Sequence, residues 1–303
     1  MKIAVVGSYG VGMTMRSPKF PQPGETLMGG SYDAGPGGKG SNQAIGAARL
    51  GAEVSFLTAI GPDEMGDAAR ALWKAEGVDS SAVVVGKNHT MVGFILVDGD
   101  GENRIIVAAG ALDEINSEHV EKFRRHIAEA DILVVSMELA LTAVLAALEI
   151  GRQEGVRIVL NPAPAVPLPE KAWSLFDVIT PNRTEAPVLL GLPDDHGLAP
   201  IDLVKALRQK TKAQIIMTLG SEGCLVDDGE SVVATPAIKA TKVVDTTGAG
   251  DSFTSALAVS LAEGNDLHTA VRFASASGAH SVSIAGVINS LPTREEIMRK
   301  LAE

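Results

Sequence analysis

Two aspartates flank a run of small residues at positions 245–251, which read DTTGAGD. The run lies where a strand-like segment ends and a long Ala-rich helical pattern begins. The first amides of a helix have no internal partner and attract anions when no side chain blocks them, and Gly248, Ala249 and Gly250 leave that approach open. A carboxylate there would repel phosphate unless it accepts a proton from an attacking hydroxyl, so Asp251 fits a phosphoryl-transfer base. Taken alone, the stretch is equally well explained by a helix cap and a turn.

The composition narrows the classes of protein to consider. The chain has 303 residues, of which 46% are hydrophobic and 21% charged, which predicts a globular protein with a sizeable core. Its net charge of −11 argues against a nucleic-acid surface and a polybasic membrane anchor, and favours small-molecule partners. The single cysteine, Cys224, excludes an intrachain disulfide and a thiolate metal cluster. No signal peptide or membrane span is expected, because the apolar stretch 132–150 contains Glu138 and is typical of a strand followed by a helix. We expect a soluble cytoplasmic protein.

Short apolar segments alternate with helical patterns along most of the chain, which predicts parallel βαβ units. Predicted strands cover 1–7, 53–59, 81–85, 132–135, 156–160, 177–180, 214–219, 224–226 and 232–234. Predicted helices cover 42–50, 64–75, 142–153, 201–210, 252–263, 267–283 and 293–301, with a further helix around 188–190.

The alternation of strands and helices is interrupted at 90–97 and 103–108. These are two strand-like segments joined by DGDGE, which indicates a hairpin. With the region 25–32, the hairpin predicts a small β subdomain that serves as a lid or a dimer contact. We therefore expect one domain over 1–303, with a β lid built from about 10–34 and 88–109.

Two glycine-rich segments in the N-terminal part could suggest nucleotide motifs. The first, at 7–12, is not a dinucleotide fingerprint, because three prolines within the next stretch prevent a helix from opening there. The second, GPGGKGSNQA at 35–44, is not a Walker motif, because Gly40 rather than Ser or Thr follows Lys39. It remains a glycine-rich approach to a helix, in which Lys39 and Asn42 can hydrogen-bond a polar ligand.

Polar segments follow several of the predicted strands, and ligands of open parallel sheets bind beyond the carboxyl ends of strands. We therefore expect them to line one cleft. Together they resemble the ribokinase-like (PfkB) family of sugar kinases over nearly the full length. The matching segments are FPQPGET at 20–26, GGKGSNQA at 37–44, GEN at 101–103, NPAP at 161–164, TPNRTE at 180–185 and DTTGAGD at 245–251. The resemblance implies an α/β fold: a three-layer sandwich with a central, mostly parallel sheet and a small inserted β lid.

The resemblance also implies roles for matching residues on the acceptor side. It makes Asp251 the base that takes the proton of a sugar hydroxyl, and it makes the amides of Gly248, Ala249 and Gly250 the hole that stabilises the transferred phosphoryl group. Sugar contacts fall on Gly38, Lys39, Asn42, Glu138 and Asp251.

On the nucleotide side, the resemblance implies ATP and Mg²⁺, with Mg²⁺ held mostly through water. Asn182 and Glu185 match the motif that positions Mg²⁺ and the ATP phosphates, Glu185 acting on the metal through water. The nucleotide-binding turn falls on Thr218, Gly220 and Gly223, with Gly250 at the phosphates. A K⁺ activator is implied by a monovalent-cation loop that falls on Asp245, Thr247 and Ser290.

One departure leaves the acceptor open. Ribokinases carry an Asn and an Asp shortly after the first Gly-Ser, where this chain has Gly10 and Gly12. A site that loses hydroxyl-binding groups discriminates less among hydroxylated substrates, so the sugar is not fixed. We expect an ATP-dependent kinase acting on a primary hydroxyl of a pentose or related sugar, as a homodimer through the lid. A nucleoside kinase and a non-catalytic sugar or nucleotide sensor are the alternatives.

Overall fold

Nine short strands, mostly of Val, Ile and Leu, form the central sheet of the computed structural model, which describes residues 1–193 and 195–303. The strands of the described chain are β1 (Lys2–Val6), β2 (Gly10–Arg16), β3 (Ser31–Gly37), β4 (Glu53–Leu57), β5 (Ala59–Ile60), β6 (Val78–Asp79), β7 (Val84–Val85), β8 (Val92–Val97), β9 (Asn103–Ala108), β10 (Ile132–Ser136), β11 (Arg157–Asn161), β12 (Val178–Ile179), β13 (Gln214–Thr218), β14 (Cys224–Asp227) and β15 (Val232–Thr235). The central order is β15-β14-β13-β12-β11-β10-β1-β4-β6. Pairing is parallel except at β13–β14 and β14–β15, so the parallel strands end at one common edge.

Helices cover both faces of this sheet. They are α1 (Lys39–Arg49), α2 (Glu64–Ala75), α3 (Ser117–Lys122), α4 (Arg124–Ala128), α5 (Leu141–Gln153), α6 (Glu185–Leu189), α7 (Pro200–Arg208), α8 (Ala249–Ala262), α9 (Leu267–Ser281), α10 (Val287–Ser290) and α11 (Arg294–Ala302). Alternate side chains of a strand point to opposite faces, and in β1 Ile3 and Val5 join one apolar core while Ala4 and Val6 join another. The first core contains α8 and α9, the second α5 and α7, which gives three layers.

Helix α8 is buried on all sides. Its side chains from Asp251 to Leu261 are buried, because it lies between the sheet, α1 and α9. The approach to α1 is close: a Cβ at Gly46 would lie 2.4 Å from Oγ of Ser255. The Oγ atoms of Ser252 and Ser277 lie 2.7 Å apart and join α8 to α9. The helix that carries Asp251 is thus held rigidly in the core.

A separate four-stranded sheet, β3-β2-β8-β9, forms what we call the lid sheet. Strand β2 pairs antiparallel with β3 and parallel with β8, and β8 pairs antiparallel with β9. The region 25–32, expected to contribute to the lid, overlaps strand β3 (Ser31–Gly37) only at residues 31 and 32. Gly29 and Gly30 have φ of +96° and +109°, a backbone that cannot continue a strand.

The fold class predicted from the sequence is confirmed: a large, mostly parallel sheet lies between two helical layers, with a small additional β sheet. Helix Glu64–Ala75 and strand Asn103–Ala108 were predicted to the residue. No strand was predicted at β2, and the short helices α3 and α4 were not predicted. A single domain over 1–303 stays a prediction. Within the described residues, no helix has the length and apolarity needed to cross a membrane.

Candidate active site

The positions predicted to contact the sugar meet at the carboxyl edge of the central sheet. Ser8 follows β1 and Glu138 follows β10, two neighbouring parallel strands. The hydroxyl of Ser8 donates to Glu138, and the backbone amide of Lys39 donates to Oε2 of Glu138 at 2.9 Å. Glu138 therefore joins the end of one strand to the start of α1.

Glycines allow that junction to be tight. Gly38, which precedes α1, has φ +90°, and a Cβ there would lie 2.6 Å from Cα of Tyr9. A Cβ at Gly40 would lie 2.5 Å from the carbonyl carbon of Gly7. Real Cβ atoms do not approach backbone so closely, so Gly38 and Gly40 are needed to bring α1 against the β1 loop. This packing places Lys39 and Asn42 beside the cleft.

Asp251 lies in the first turn of α8 and is buried. Nδ2 of Asn42 donates to its Oδ2 at 2.8 Å, and Nε2 of Gln43 donates to its Oδ1 at 3.0 Å. Burial raises the pKa of Asp251, and the charge of Glu138 adds to the rise; the Lys39 charge and the two amide hydrogen bonds oppose it. Both amides donate to the carboxylate, an arrangement that suits the ionised form and hence a base.

The start of α8 is open to an anion. Gly248 has φ +81°, in the left-handed region, and a Cβ there would lie 2.6 Å from Cγ1 of Val287. A Cβ at Gly250 would meet nothing within 4 Å, so the space in front of the helix is accessible. Over residues 1–193 and 195–303, the amides of Gly250 and Asp251 donate to no carbonyl that precedes the helix. These unused donors, together with the helix dipole, fit the charge of a phosphoryl group.

Lys39 and Glu185 complete the charged part of the cleft. Burial opposes the charge of the Lys39 ammonium, but the carboxylates of Asp251, Glu138 and Glu185 outweigh it and raise its pKa. Burial also raises the pKa of Glu185, with the negative charge of Asp251 contributing and Lys39 opposing. Among the described residues, Lys39 forms no ion pair within 4 Å, although the charges of three carboxylates act on its ammonium.

Asn182 and Glu185 also have a structural role in the chain. Oδ1 of Asn182 accepts from the amides of Thr184 at 2.9 Å and Glu185 at 2.8 Å, while Oε2 of Glu185 accepts from the amide of Asn182 at 2.8 Å. This reciprocal cap begins α6. The charges of Lys39 and Asp251 also act on the pKa of Glu185, which indicates that its carboxylate faces the same cleft.

The expected nucleotide turn adjoins this cap. Thr218 ends β13 and forms an isolated parallel bridge with Asn182. The turn closes where the amide of Leu219 donates to the carbonyl of Gly223 at 2.8 Å. Gly220 and Gly223 have φ of +61° and +94°, so both are required by the turn itself. The structure brings Thr218, Asn182 and the two glycines together.

The three residues expected to bind a monovalent cation differ in their hydrogen bonds. Asp245 accepts from the amides of Thr247 at 2.9 Å and Gly286 at 3.2 Å. Burial opposes its ionisation, but these hydrogen bonds and the charge of Arg16 outweigh it and lower the pKa of Asp245. Ser290 instead hydrogen-bonds Oγ of Ser281 at 2.8 Å and donates to a carbonyl of its own helix. Its hydroxyl oxygen is thus already engaged.

The protein groups fit Mg²⁺ only as a partly hydrated ion. Among the described residues, no three His, Cys, Asp or Glu side chains converge as a metal site. Mg²⁺ commonly keeps several waters and binds through substrate phosphates and one or two carboxylates. Glu185 beside the start of α8 can supply such a carboxylate.

The sequence analysis missed two buried amides. Gln43 contacts both Asp251 and Asn161, and Asn161 ends β11. Gln43 and Asn161 lie in segments 37–44 and 161–164, which resemble the pfkB family. The position of Gln43 directly after the predicted site residue Asn42 was the one available sign of its role. The analysis also missed that a Cβ at Gly10 would lie 2.3 Å from Cε of Met91. Met91 therefore fills the space that a larger residue 10 would need.

Comparisons with known proteins identify the family of this chain. The model of the pfkB family of carbohydrate kinases matches residues 1–294. This chain belongs to that family. It is 36% identical over 303 residues to the ribokinase of Haemophilus influenzae, a match that covers 99% of this chain and 98% of the relative. It is 31% identical over 304 residues to the deoxyribokinase of Salmonella typhi, covering 100% and 99%.

A solved pfkB-type structure shares the whole architecture. The Arabidopsis thaliana ribokinase, complexed with ribose and ATP, superposes with a TM-score of 0.90 at 28% identity and covers 100% of this chain and 99% of that one. The family, the fold and the relatives make this chain an ATP-dependent carbohydrate kinase.

Proposed function

We propose that this pfkB-family kinase transfers the γ-phosphoryl group of ATP to a primary hydroxyl of a pentose or a related sugar, with Asp251 as the base. The observation that carries the proposal is the pairing of a buried, amide-bound Asp251 with an open helix start at Gly250. A proton acceptor and an anion site in one helical turn are what attack by a hydroxyl on a phosphoryl group requires.

The proposed reaction uses each feature of the cleft. Asp251 takes the proton of the acceptor hydroxyl as the hydroxyl oxygen forms a bond to the γ-phosphorus. The bond from that phosphorus to the bridging oxygen breaks, and ADP leaves with the electron pair. The amides at the start of α8 and the ammonium of Lys39 stabilise the negative charge on the transferred group. Mg²⁺, when bound beside Glu185, neutralises charge on the phosphates.

The groups that border the acceptor pocket suit a pentose-type sugar but do not identify which sugar it is. Glu138, Lys39 and Asn42 border it, and Oδ1 of Asn42 is buried without a hydrogen-bond partner among the described residues. An unpaired buried oxygen is costly, so it is suited to accept from a sugar hydroxyl. On the lid side, this chain has the backbone of Gly10 and the thioether of Met91 where ribokinases carry an amide. The sugar hydroxyls that this side of the pocket recognises should therefore differ from those that ribokinases recognise.

The decisive experiment measures ADP release with ATP, Mg²⁺ and a panel of pentoses, hexoses, deoxysugars and nucleosides, with Asp251→Asn as the matched inactive variant. We expect pentoses or their deoxy forms to give the highest kcat/KM. Preferred turnover of nucleosides would favour the nucleoside kinase. Absence of turnover with every acceptor would favour the sensor, although a sensor does not need the base that this chain retains.

We propose that K⁺ activates the enzyme through the loop that contains Asp245 and Thr247, with Ser290 as a weaker third member because its hydroxyl is already hydrogen-bonded. The lowered pKa of Asp245 keeps its carboxylate charged, as a cation ligand requires. We expect a several-fold higher kcat in K⁺ than in Na⁺ or choline at equal ionic strength. Equal rates in all three salts would remove the loop from cation binding.

We also propose a homodimer formed through the lid sheet. Every side chain of β9 is exposed, and Ile105 and Ile106 are 56% and 73% exposed. Tyr32, on β3, adds a further exposed apolar side chain. A long apolar edge strand on a monomer invites pairing with another chain, and a twofold contact between two copies covers it. We place the protein in the cytoplasm, where ATP is available.

A further inference from the structure

Gln43 is a second amide on the carboxylate of Asp251, and no step described above depends on it. Its Nε2 lies 3.0 Å from Oδ1 of Asp251 and 3.1 Å from Oδ1 of Asn161. An amide nitrogen carries two hydrogens, so it can donate to both oxygens at once. Gln43 is only 1% exposed, and its interactions are therefore hardly weakened by water.

The neighbours of Gln43 fix which end of its amide faces Asp251. Nδ2 of Asn161 lies 3.5 Å from the carbonyl oxygen of Thr180 and 3.3 Å from its hydroxyl oxygen. A carbonyl can only accept, so the Asn161 nitrogen must face Thr180 and its oxygen must face Gln43. Gln43 then presents its nitrogen to Asn161 and, with the same nitrogen, to Asp251.

The two carboxylate oxygens of Asp251 are divided between two donors. Asn42 donates to Oδ2 at 2.8 Å, and Gln43 donates to Oδ1. Each oxygen keeps a lone pair for an acceptor hydroxyl. Unlike Asn42, which borders the acceptor pocket, Gln43 points away towards Asn161 at the end of β11.

We propose that Gln43, anchored by Asn161, is a positioning residue that keeps the buried Asp251 ionised and aimed for proton acceptance. The inference rests on the proposed role of Asp251 as the base. Burial favours the protonated acid, which cannot accept a proton, and donation from Gln43 stabilises the charged form instead. The side chain acts on the reaction only through Asp251.

A pH profile of kcat for Gln43→Met tests this, because Met keeps the length of the side chain and lacks the donors. A hydrogen bond to a charged group corresponds to a pKa change of about one to two units. We expect the acid limb of kcat to move to higher pH by that amount and the rate to recover as the pH rises. The KM for ATP stays unchanged. Gln214→Met, a glutamine substitution at the start of β13, is the matched control and leaves the limb in place.

The outcomes that overturn the proposal are distinct. A Gln43→Met enzyme whose rate falls equally at every pH, or does not change, shows a packing role only. If Gln43→Met does not fold, Asn161→Leu decides: we expect a smaller shift in the same direction, and an unmoved limb contradicts the proposal. The variant Asp251→Asn separates the hypothesis that Asp251 is the base from the hypothesis that Gln43 positions it. Near wild-type kcat in that variant overturns the base itself, whereas loss of activity there with an unmoved limb in Gln43→Met overturns only the role of Gln43.

Discussion

The cleft at the carboxyl edge of the central sheet and the lid sheet above it are built in opposite ways. In the cleft, Asp251, Asn42 and Gln43 are buried and joined by hydrogen bonds, and Gly38 and Gly40 are crowded by neighbouring backbone. In the lid sheet, β9 is exposed along its whole length, and a Cβ at Gly35 or Gly93 would meet nothing within 4 Å. We therefore expect the chemistry of the reaction to depend on the buried cleft.

The choice of partners belongs to the open part. The lid sheet has open space and exposed apolar side chains, and Met91 takes the space beside Gly10. A substitution in the cleft should therefore affect rate and stability strongly, whereas one in the lid sheet should affect association or acceptor preference. Four predictions test this contrast.

The largest effect is expected for Asp251→Asn. The amide cannot accept the proton of the hydroxyl, so kcat should fall by about 10²-fold or more, which is the size of a general-base contribution. ATP binding, measured by calorimetry, should be retained because the start of α8 is unchanged. A kcat near that of the wild type would remove Asp251 from the mechanism.

A matched pair of glycine substitutions compares the two regions in stability. Gly40→Ala places a Cβ 2.5 Å from the backbone of Gly7 and should lower the free energy of unfolding by about 1–3 kcal/mol. Gly35→Ala enters open space and should change it by less than about 0.5 kcal/mol. Denaturant unfolding with a common m-value measures both. Equal losses would show that the lid sheet is as tightly built as the cleft.

The pH dependence of kcat should reflect the burial of the base. Because burial raises the pKa of Asp251, the carboxylate becomes protonated, and the rate falls, at a higher pH than for an exposed aspartate. Removing the opposing charge with Lys39→Met should move this acid limb to still higher pH. Rates at saturating substrate from mildly acidic to alkaline pH give the limb. A rate that persists into the ordinary carboxyl range contradicts the expected burial effect.

The smallest effect on kcat is expected in the lid sheet. Ile106→Asp places a charge on the exposed apolar strand β9 and should convert the proposed dimer to a monomer, with kcat changed by less than about twofold. Sedimentation velocity measures the association, and Lys122→Asp on α3, away from this strand, is the control. A wild-type protein that is already monomeric would overturn the interface.

Much of the fold was predictable because its signals are local. Alternating strands and helices gave the α/β class, and Glu64–Ala75 was predicted to the residue because Asp63 caps it and apolar residues recur with helical spacing. The start of β3 was not predictable in the same way, because the sequence does not show that Gly29 and Gly30 adopt positive φ just before it. Strand β2, with glycines at alternate positions, forms because β3 and β8 pair with it on both sides.

The sequence alone determined the fold class and the family, because the spacing of the motif residues is typical of that family. It also predicted which residues carry out phosphoryl transfer. Only the tertiary structure decided what those residues touch. Gln43 meets Asp251 across 208 positions, and Met91 lies against Gly10 across a strand pair. Hydrophobic periodicity reports that a side chain is buried but does not identify its partner. The buried environment that sets the protonation of the base and the surface that faces the acceptor depend on those partners.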